Sequence, residues 1–479
     1  MSDMWTLKPV VLWSDALLAL LLASVIAFVF YVRARPPLLE AWRRVGGSAA
    51  GMSAATVLLF FLVVGVLDSL HYRPLLPAKS LAAPQYSVEV KSALDALLAP
   101  LRERSEKTYS APLAAHLFAK ETVEINGQAV REFPRLKHGG AHLKDPAELP
   151  QDVTTRLIEG MATGAAVWLG AVLLVTLFAS RGVGFAAGFA NVWAVRTVVN
   201  WRAVLITLLP LALVIGAVAM LAQAYHVFGT DKVGQDVLYL SLKSVRTAIL
   251  IGTLTTLVML PLAVFMGILA GYCGGWLDDL IQYLYTVLNS IPGVLLIAAA
   301  VLMLQVMIEA NAALFATAAE RADARLLALC AILGLTSWTG LCRLLRGETL
   351  KLRELEYVQA ARAFGVSGLR IMWRHVMPNV MHIVLIAVVM DFSALVLAEA
   401  VLSYVGIGVD PNTMSFGSMI NAARMELARD PMVWWSLSAS FVFMFLLVLC
   451  ANLFADAVRD AFDPRLARRV RLPSLFRKA

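Results

Sequence analysis

From Thr247 to Leu277 the chain passes without a single Asp, Glu, Lys or Arg. A run of that length exceeds the roughly 18–20 apolar residues that carry one helix across a bilayer. Further charge-free runs cover Ala16 to Val32, Gly51 to Leu67, Met161 to Ser180 and Ala203 to Tyr225. A soluble domain cannot hold this balance in 479 residues, of which 60% are hydrophobic and only 15% charged. The mean hydropathy is +0.75. The fold class that follows is an all-α polytopic membrane protein with about nine spans.

The formal charge of +8 points away from nucleic acid, because the basic residues cluster in short segments beside apolar runs. Lys8 precedes the first run, and Arg33, Arg35, Arg43 and Arg44 follow it. That asymmetry keeps the following loop in the cytoplasm and reads as a retained anchor with its N-terminus outside, not a cleaved signal. Cys273, Cys330, Cys342 and Cys450 lie in or beside apolar runs with no paired spacing. They read as small buried hydrophobes, and neither a disulfide framework nor a zinc site is expected.

Residues 71–158 are mixed and polar, the one stretch long enough for a small extracytoplasmic domain. Within it Ser92 to Leu101 is amphipathic, and Asn126-Gly127 suits a tight hairpin turn between two strands. His138 and His142 are four apart, but Gly139-Gly140 between them argues against a helical metal pair. The organisation read from the sequence is residues 1–70 with two spans, the 71–158 domain, and 159–200 with a third span and a cytoplasmic linker. A second polytopic core over 201–464 and a basic cytoplasmic tail, 465–479, complete it.

In the core, Asp236 is placed to N-cap a helix. Leu280 to Ile308 reads as one run, interrupted by Asn289-Ser290-Ile291-Pro292-Gly293. Proline and glycine within a span free carbonyls that protein or a water-filled path must satisfy. Asn289 and Pro292 are therefore candidates for a translocation path, with a packing kink as the alternative. Asp391 and Glu399 lie inside the run Val380 to Val401. A charge at a helix centre costs roughly 2.5–3.5 kcal/mol on insertion scales, so both are candidates for the path. For Glu399 the alternative is hydration or capping near the outer surface.

Residues 356–378 form a polar island between apolar runs. Tyr357, Ala360, Ala361 and Phe364 fall at helical spacing, and Gly365 follows where a C-cap needs a left-handed residue. Ser367 then suits the N-cap of a second helix with Leu369, Met372, Trp373 and Val376 on its apolar face, and Pro378 is expected to close it. From Arg343 to His375 there are seven Lys/Arg against three Glu, which places this elbow inside.

Gln359-Ala360-Ala361, Gly365 and Pro378 resemble the coupling-loop pattern of ABC importer permeases, Glu-Ala-Ala, three residues, Gly, nine residues, Ile-x-Leu-Pro. Gln359 stands for the glutamate, His375 for the isoleucine and Met377 for the leucine. Phe228-Gly-Thr-Asp-Lys-Val-Gly-Gln-Asp236, Gly271-Tyr-Cys-Gly-Gly275-Trp-Leu-Asp-Asp279 and Asn452-Leu-Phe-Ala-Asp-Ala-Val-Arg-Asp-Ala-Phe-Asp-Pro464 are similar to signatures of one branch. That branch is the C-type permease subunit of the oligopeptide, dipeptide and nickel transporters. The resemblance implies six core helices, a homologous second permease, two ATPase subunits that bind ATP and Mg, and an extracytoplasmic substrate-binding protein. It implies a bacterial inner-membrane location, with lipid as a partner and no nucleic acid. It assigns ATPase coupling to Glu356, Tyr357, Gln359, Ala360, Ala361, Phe364, Gly365 and Pro378 within the loop 347–378. Contact with the binding protein falls to Pro411, Phe416 and Gly417.

No Gly-x-x-x-x-Gly-Lys-Ser/Thr loop occurs in the chain, so no ATPase, cofactor or other enzymatic role is expected of it. Two other classes stand beside this one: a proton-coupled secondary transporter using Asp391 and Glu399, and a membrane sensor with the outer domain as receptor. Residues 1–200 carry no family motif, and the core is expected to fold and transport without them.

Overall fold

The computed structural model describes residues 7–75, 86–125, 128–181, 184–311, 315, 317–410 and 413–462. Among these, nine helices are long and apolar enough to cross a membrane. They are α1 (Trp13–Arg33), α2 (Ala49–Ser69), α3 (Leu149–Ala179), α4 (Trp201–Leu221), α5 (Val237–Cys273), α6 (Gly293–Ala310), α7 (Ala318–Arg353), α8 (Gly368–Tyr404) and α9 (Trp435–Phe462). Polar residues start several of them. Ser48 accepts a hydrogen bond from the Gly51 N–H, Asn200 from Ala203 and Thr317 from Glu320. As expected, Asp236 caps α5, accepting from the N–H groups of Leu238 and Tyr239 at 2.8 and 3.2 Å.

The chain forms two compact units. The first comprises residues 1–15, 43–248 and 413–450, the second 16–42, 249–412 and 451–479.

In the first unit, β1 (Leu7–Val10) pairs antiparallel with β2 (His71–Pro74), and β2 with β3 (Lys91–Ser92). The β1–β2 ladder puts residues 7–10 and 71–74 on the same side of the membrane, as two intervening spans require. On the opposite side the Asn200 N–H donates to the Gly46 carbonyl at 2.7 Å. The segment between α2 and α3 is built from short pieces. The amphipathic stretch becomes two helices, Ala93–Leu97 and Ala99–Glu103, the first closed by a Ser92–Asp95 capping box. β4 (Glu121–Ile125) and β5 (Gln128–Glu132) form the hairpin, with Ile125 opposite Gln128. Its turn, Asn126-Gly127, lies outside the described residues. Among the described residues no group of His, Cys, Asp and Glu could hold a metal ion.

This segment is seated on the loop that precedes α5 and on the start of α9. Gly229 (φ +69°) and Gly234 (φ +78°) approach its backbone closely, and a Cβ on Gly234 would lie 1.8 Å from the Glu106 carbonyl oxygen. Thr230 Oγ1 accepts from the Ser110 N–H at 2.7 Å and donates to the Thr108 carbonyl at 2.8 Å. The Trp435 indole N–H donates to the Thr230 carbonyl at 2.9 Å, and Phe118 packs edge-on against that indole. Beneath lies a buried charge cluster. His226 Nδ1 is 2.7 Å from Asp236, and its Nε2 is 3.5 Å from Glu106. The Glu106 carboxylate also accepts from the N–H groups of Lys137, His138 and Gly139. A chain without residues 1–200 would leave His226 and this loop backbone short of partners, against the expectation from the sequence.

The cluster makes this docking pH-dependent. Burial pushes the His226 imidazolium down, but Asp236 and Glu106 outweigh it and raise its pKa to about 9. Burial likewise pushes Glu106 up, and His226 with the three N–H groups brings it down to about 2. A raised histidine contributes fully below its ordinary 6.5 and loses that contribution as pH climbs through about 9. A lowered glutamate contributes fully above its ordinary 4.5 and loses it as pH falls through about 2. Hydrogen exchange of residues 106–110, corrected for intrinsic base catalysis, should therefore be faster at pH 10 than at pH 6. Equal protection at both would show that the imidazolium does not hold the seam.

The second unit carries two departures from the sequence reading. Leu280 to Ile308 is not one run. Gly275–Ser290 is a separate amphipathic helix, and Ile291 is extended before Pro292, as a residue preceding proline prefers. The span α6 begins only at Gly293. Nor does Pro378 close the elbow's second helix. Gly368–Ile371 continues through a wider π-turn, Met372–Val376, into Met377–Tyr404. In that register the Met377 N–H bonds the Met372 carbonyl, and the wider turn gives the proline ring room without breaking α8.

Candidate coupling site and transport path

The elbow consists of the helix Glu356–Ala363, a turn, and the start of α8. The turn is a complete Schellman motif. The Gly365 N–H bonds the Arg362 carbonyl at 3.0 Å and the Val366 N–H bonds the Ala361 carbonyl at 3.1 Å. Gly365 has φ +75°, as expected from its place after Phe364. Ser367 stands at the next N-cap position, but its side chain makes no capping hydrogen bond.

The elbow's base is held by packing. Val358, Ile371, Met372 and Val376 are buried in a core with Tyr285, Cys342 and Leu345, and Ala361 and Val366 pack against it. The apolar faces read from the sequence are therefore only partly inward. Phe364 is 87% exposed, Trp373 64% and Leu369 63%, and Tyr357 and Ala360 are exposed as well. Tyr357 accepts from Asn379 Nδ2 at 3.0 Å, while Gln359 Nε2 donates to the Glu354 carbonyl and carboxylate. Glu356 and Pro378 are exposed.

Two supports were not legible in the sequence. Arg346 on α7 grips Asp278 with two hydrogen bonds, at 2.6 and 2.8 Å. The hydrogen bond from Arg346 holds the Asp278 carboxyl below its ordinary range. Gly267 and Gly271 on α5 lie so close to α7 that a Cβ would meet Cys342 O at 2.8 Å and Thr349 Cβ at 2.6 Å. Beside the elbow lies a groove of about 780 Å3, lined among others by Tyr272, Arg353, Gln359, Arg362 and Gly368.

The family profile described as binding-protein-dependent transport system inner membrane component matches residues 263–468, which contain the whole elbow. The oligopeptide transport system permease protein OppC of Mycobacterium tuberculosis (strain ATCC 25618 / H37Rv) is 33% identical over 239 residues, 50% of this chain and 76% of that protein. The chain belongs to this permease family. The dipeptide transport system permease protein DppC of Bacillus subtilis (strain 168) is 29% identical over 245 residues, covering 51% and 70% of the two chains. The glutathione transport system permease protein GsiD of Pectobacterium atrosepticum is 31% identical over 241 residues, covering 50% and 73%. This is thus an ABC importer permease of the peptide-transporter family, a multi-pass protein of the bacterial inner membrane.

The permease's candidate path residues are not gathered into one cluster. Asn289 accepts a hydrogen bond from Thr339 at 3.1 Å, and Pro292 marks the break before α6. Glu399 is 1% exposed and accepts from Ser403 at 2.6 Å, a contact with the segment that the capping alternative named. Asp391 is half-buried, with no hydrogen bond or ion pair to another described residue.

The outer contact residues need correction. Pro411 lies outside the described residues. Phe416 is 1% exposed and Gly417 is buried, both in the first turn of the helix Phe416–Glu426 behind a Ser415–Ser418 capping box. The Phe416 ring and the Gly417 backbone serve packing and are not presented to a second protein.

Proposed function

We propose that this permease couples ATP hydrolysis in two separate ATPase subunits to the inward passage of short peptides. The observation that carries the reading is the elbow. Three large apolar side chains, Phe364, Leu369 and Trp373, project from a buried base at the face where Lys and Arg are in excess. Such a knob fits a groove on another protein in the helix-in-groove manner. Within the chain there is no phosphate-binding loop to use ATP, so ATP and Mg belong to that partner. The names of its relatives, for oligopeptide, dipeptide and glutathione transport, support a peptide cargo. They also support a homologous second permease and an extracytoplasmic binding protein that delivers the cargo.

In this reading Asp391 is the charge that meets the amino end of the cargo. A half-buried carboxylate in a span faces protein or water, and this one has no protein partner among the described residues. The proton-relay alternative is weaker, because Glu399 is engaged by Ser403. The test is purification of the tagged chain from its native membrane. Two ATPase subunits and one homologous permease should accompany it in stoichiometric yield. A chain that purifies alone in active form would refute the reading.

A further inference from the structure

The permease relatives match about half of this chain, and the family profile covers residues 263–468, so residues 1–200 lie outside it. In the first unit those residues meet the core through a one-sided pattern of charge. Arg246, on α5, donates to Asp15 at 2.7 Å, to Ser14 at 3.0 Å and to Ser69 at 3.2 Å. Lys243, one turn away on the same helix, pairs with Asp68 and lies 3.1 Å from Asp95. His226 faces Glu106. Among the described residues of this unit, every ion pair across the seam takes its acid from residues 1–200 and its base from the core.

Two hydroxyls of the core also meet acids of residues 1–200. Tyr239 OH donates to Asp95 at 2.8 Å and Tyr225 OH to Asp152 at 2.7 Å. All four carboxylates of the ion pairs are buried. Each would be costly to leave alone, and so would each cation. Apolar packing backs the charges. A Cβ on Gly160 or Gly164 of α3 would fall 2.5 Å from Gly216 O or 2.2 Å from Ala212 O of α4, so these helices touch backbone to backbone.

We infer that residues 1–200 are a built-in accessory subunit, recognising the outer end of α5 and the loop before it by acid-to-base complementarity. The partner they fit is the core of this same chain, and the covalent link between them is dispensable once the protein has folded. The seam buries enough paired charge and close backbone contact to hold without it. Reversing Arg246 leaves two acids buried together, and reversing Asp15 as well restores that pair, while the 2.7 Å contact between Asp15 and His71 is lost. A purely steric seam would not respond in this way.

The experiment uses the full chain, with a site for a sequence-specific protease inserted between the exposed residues Arg181 and Gly184. The protein is extracted in mild detergent, cut, and captured by a tag on the C-terminal fragment. The expected result is that nearly all of the N-terminal fragment is captured with it. Arg246→Asp should lower the captured fraction several-fold, and adding Asp15→Arg should bring it back. The uncut forms are compared by gel filtration, so that a variant that aggregates is recognised, and the restoring double variant then decides. Separation of the cut wild-type fragments would overturn the inference. So would capture that is unchanged by Arg246→Asp, or a double variant no better than the single one.

Discussion

Glu106→Ala will release the outer segment from the loop before α5, at a cost of about 3–5 kcal/mol, the range for stripping one partner from a buried ion pair. The loss is large because several groups lose their partner together. His226 is left with Asp236 alone, and the N–H groups of Lys137, His138 and Gly139 lose their acceptor. Glu106→Gln keeps an acceptor but not the charge, so it should fall between wild type and alanine. Gly234→Val should act as strongly by another route, since its Cβ would overlap the Glu106 backbone at a φ that valine resists. Thermal unfolding and hydrogen exchange of residues 106–140 will rank the variants. Alanine within about 0.5 kcal/mol of wild type, the usual span for a surface change, would show that the cluster contributes little.

Gly365→Val will abolish transport while leaving the protein in the membrane. At φ +75° a β-branched residue is strained by roughly 1–2 kcal/mol. No atom lies within 4 Å of the added Cβ, so the effect is confined to the backbone. Relieving that strain breaks the two bonds of the Schellman turn and splays the elbow away from its buried base. Asn, which tolerates the left-handed region, should retain most of the activity. Phe364→Asp tests the surface separately. Its ring is solvent-exposed, so stability should change by no more than about 0.5 kcal/mol while the ATPase subunits dissociate or lose stimulation by substrate. Normal uptake in both Gly365→Val and Phe364→Asp would remove the elbow from the coupling mechanism.

Local chemistry was legible in the sequence, and distant pairing was not. The apolar runs gave the nine spans because length and hydropathy are properties of each segment alone. Asp236 as a cap and Gly365 as a left-handed terminus followed from their immediate neighbours. Periodicity placed the apolar side chains of the elbow on common faces, but could not say which would meet the core. Val358 turned in, and Tyr357 and Phe364 turned out. Spacing does not tell the break before Pro292 from the passage of α8 through Pro378, where a π-turn precedes the proline. Contacts such as Arg246 with Asp15, or Arg346 with Asp278, join residues 231 and 68 positions apart. Each of these charges, read alone, resembled a flanking residue of a span. That is why residues 1–200 looked like a detachable addition.

The most direct measurement is peptide uptake into proteoliposomes holding the purified complex, with ATP supplied on the elbow side and binding protein on the other. Uptake should require both, stop in the Gly365→Val variant, and persist when the proton gradient is collapsed. Uptake that runs on a proton gradient without ATP, and is unaffected by Gly365→Val, would contradict the assignment of this chain as an ATP-driven permease.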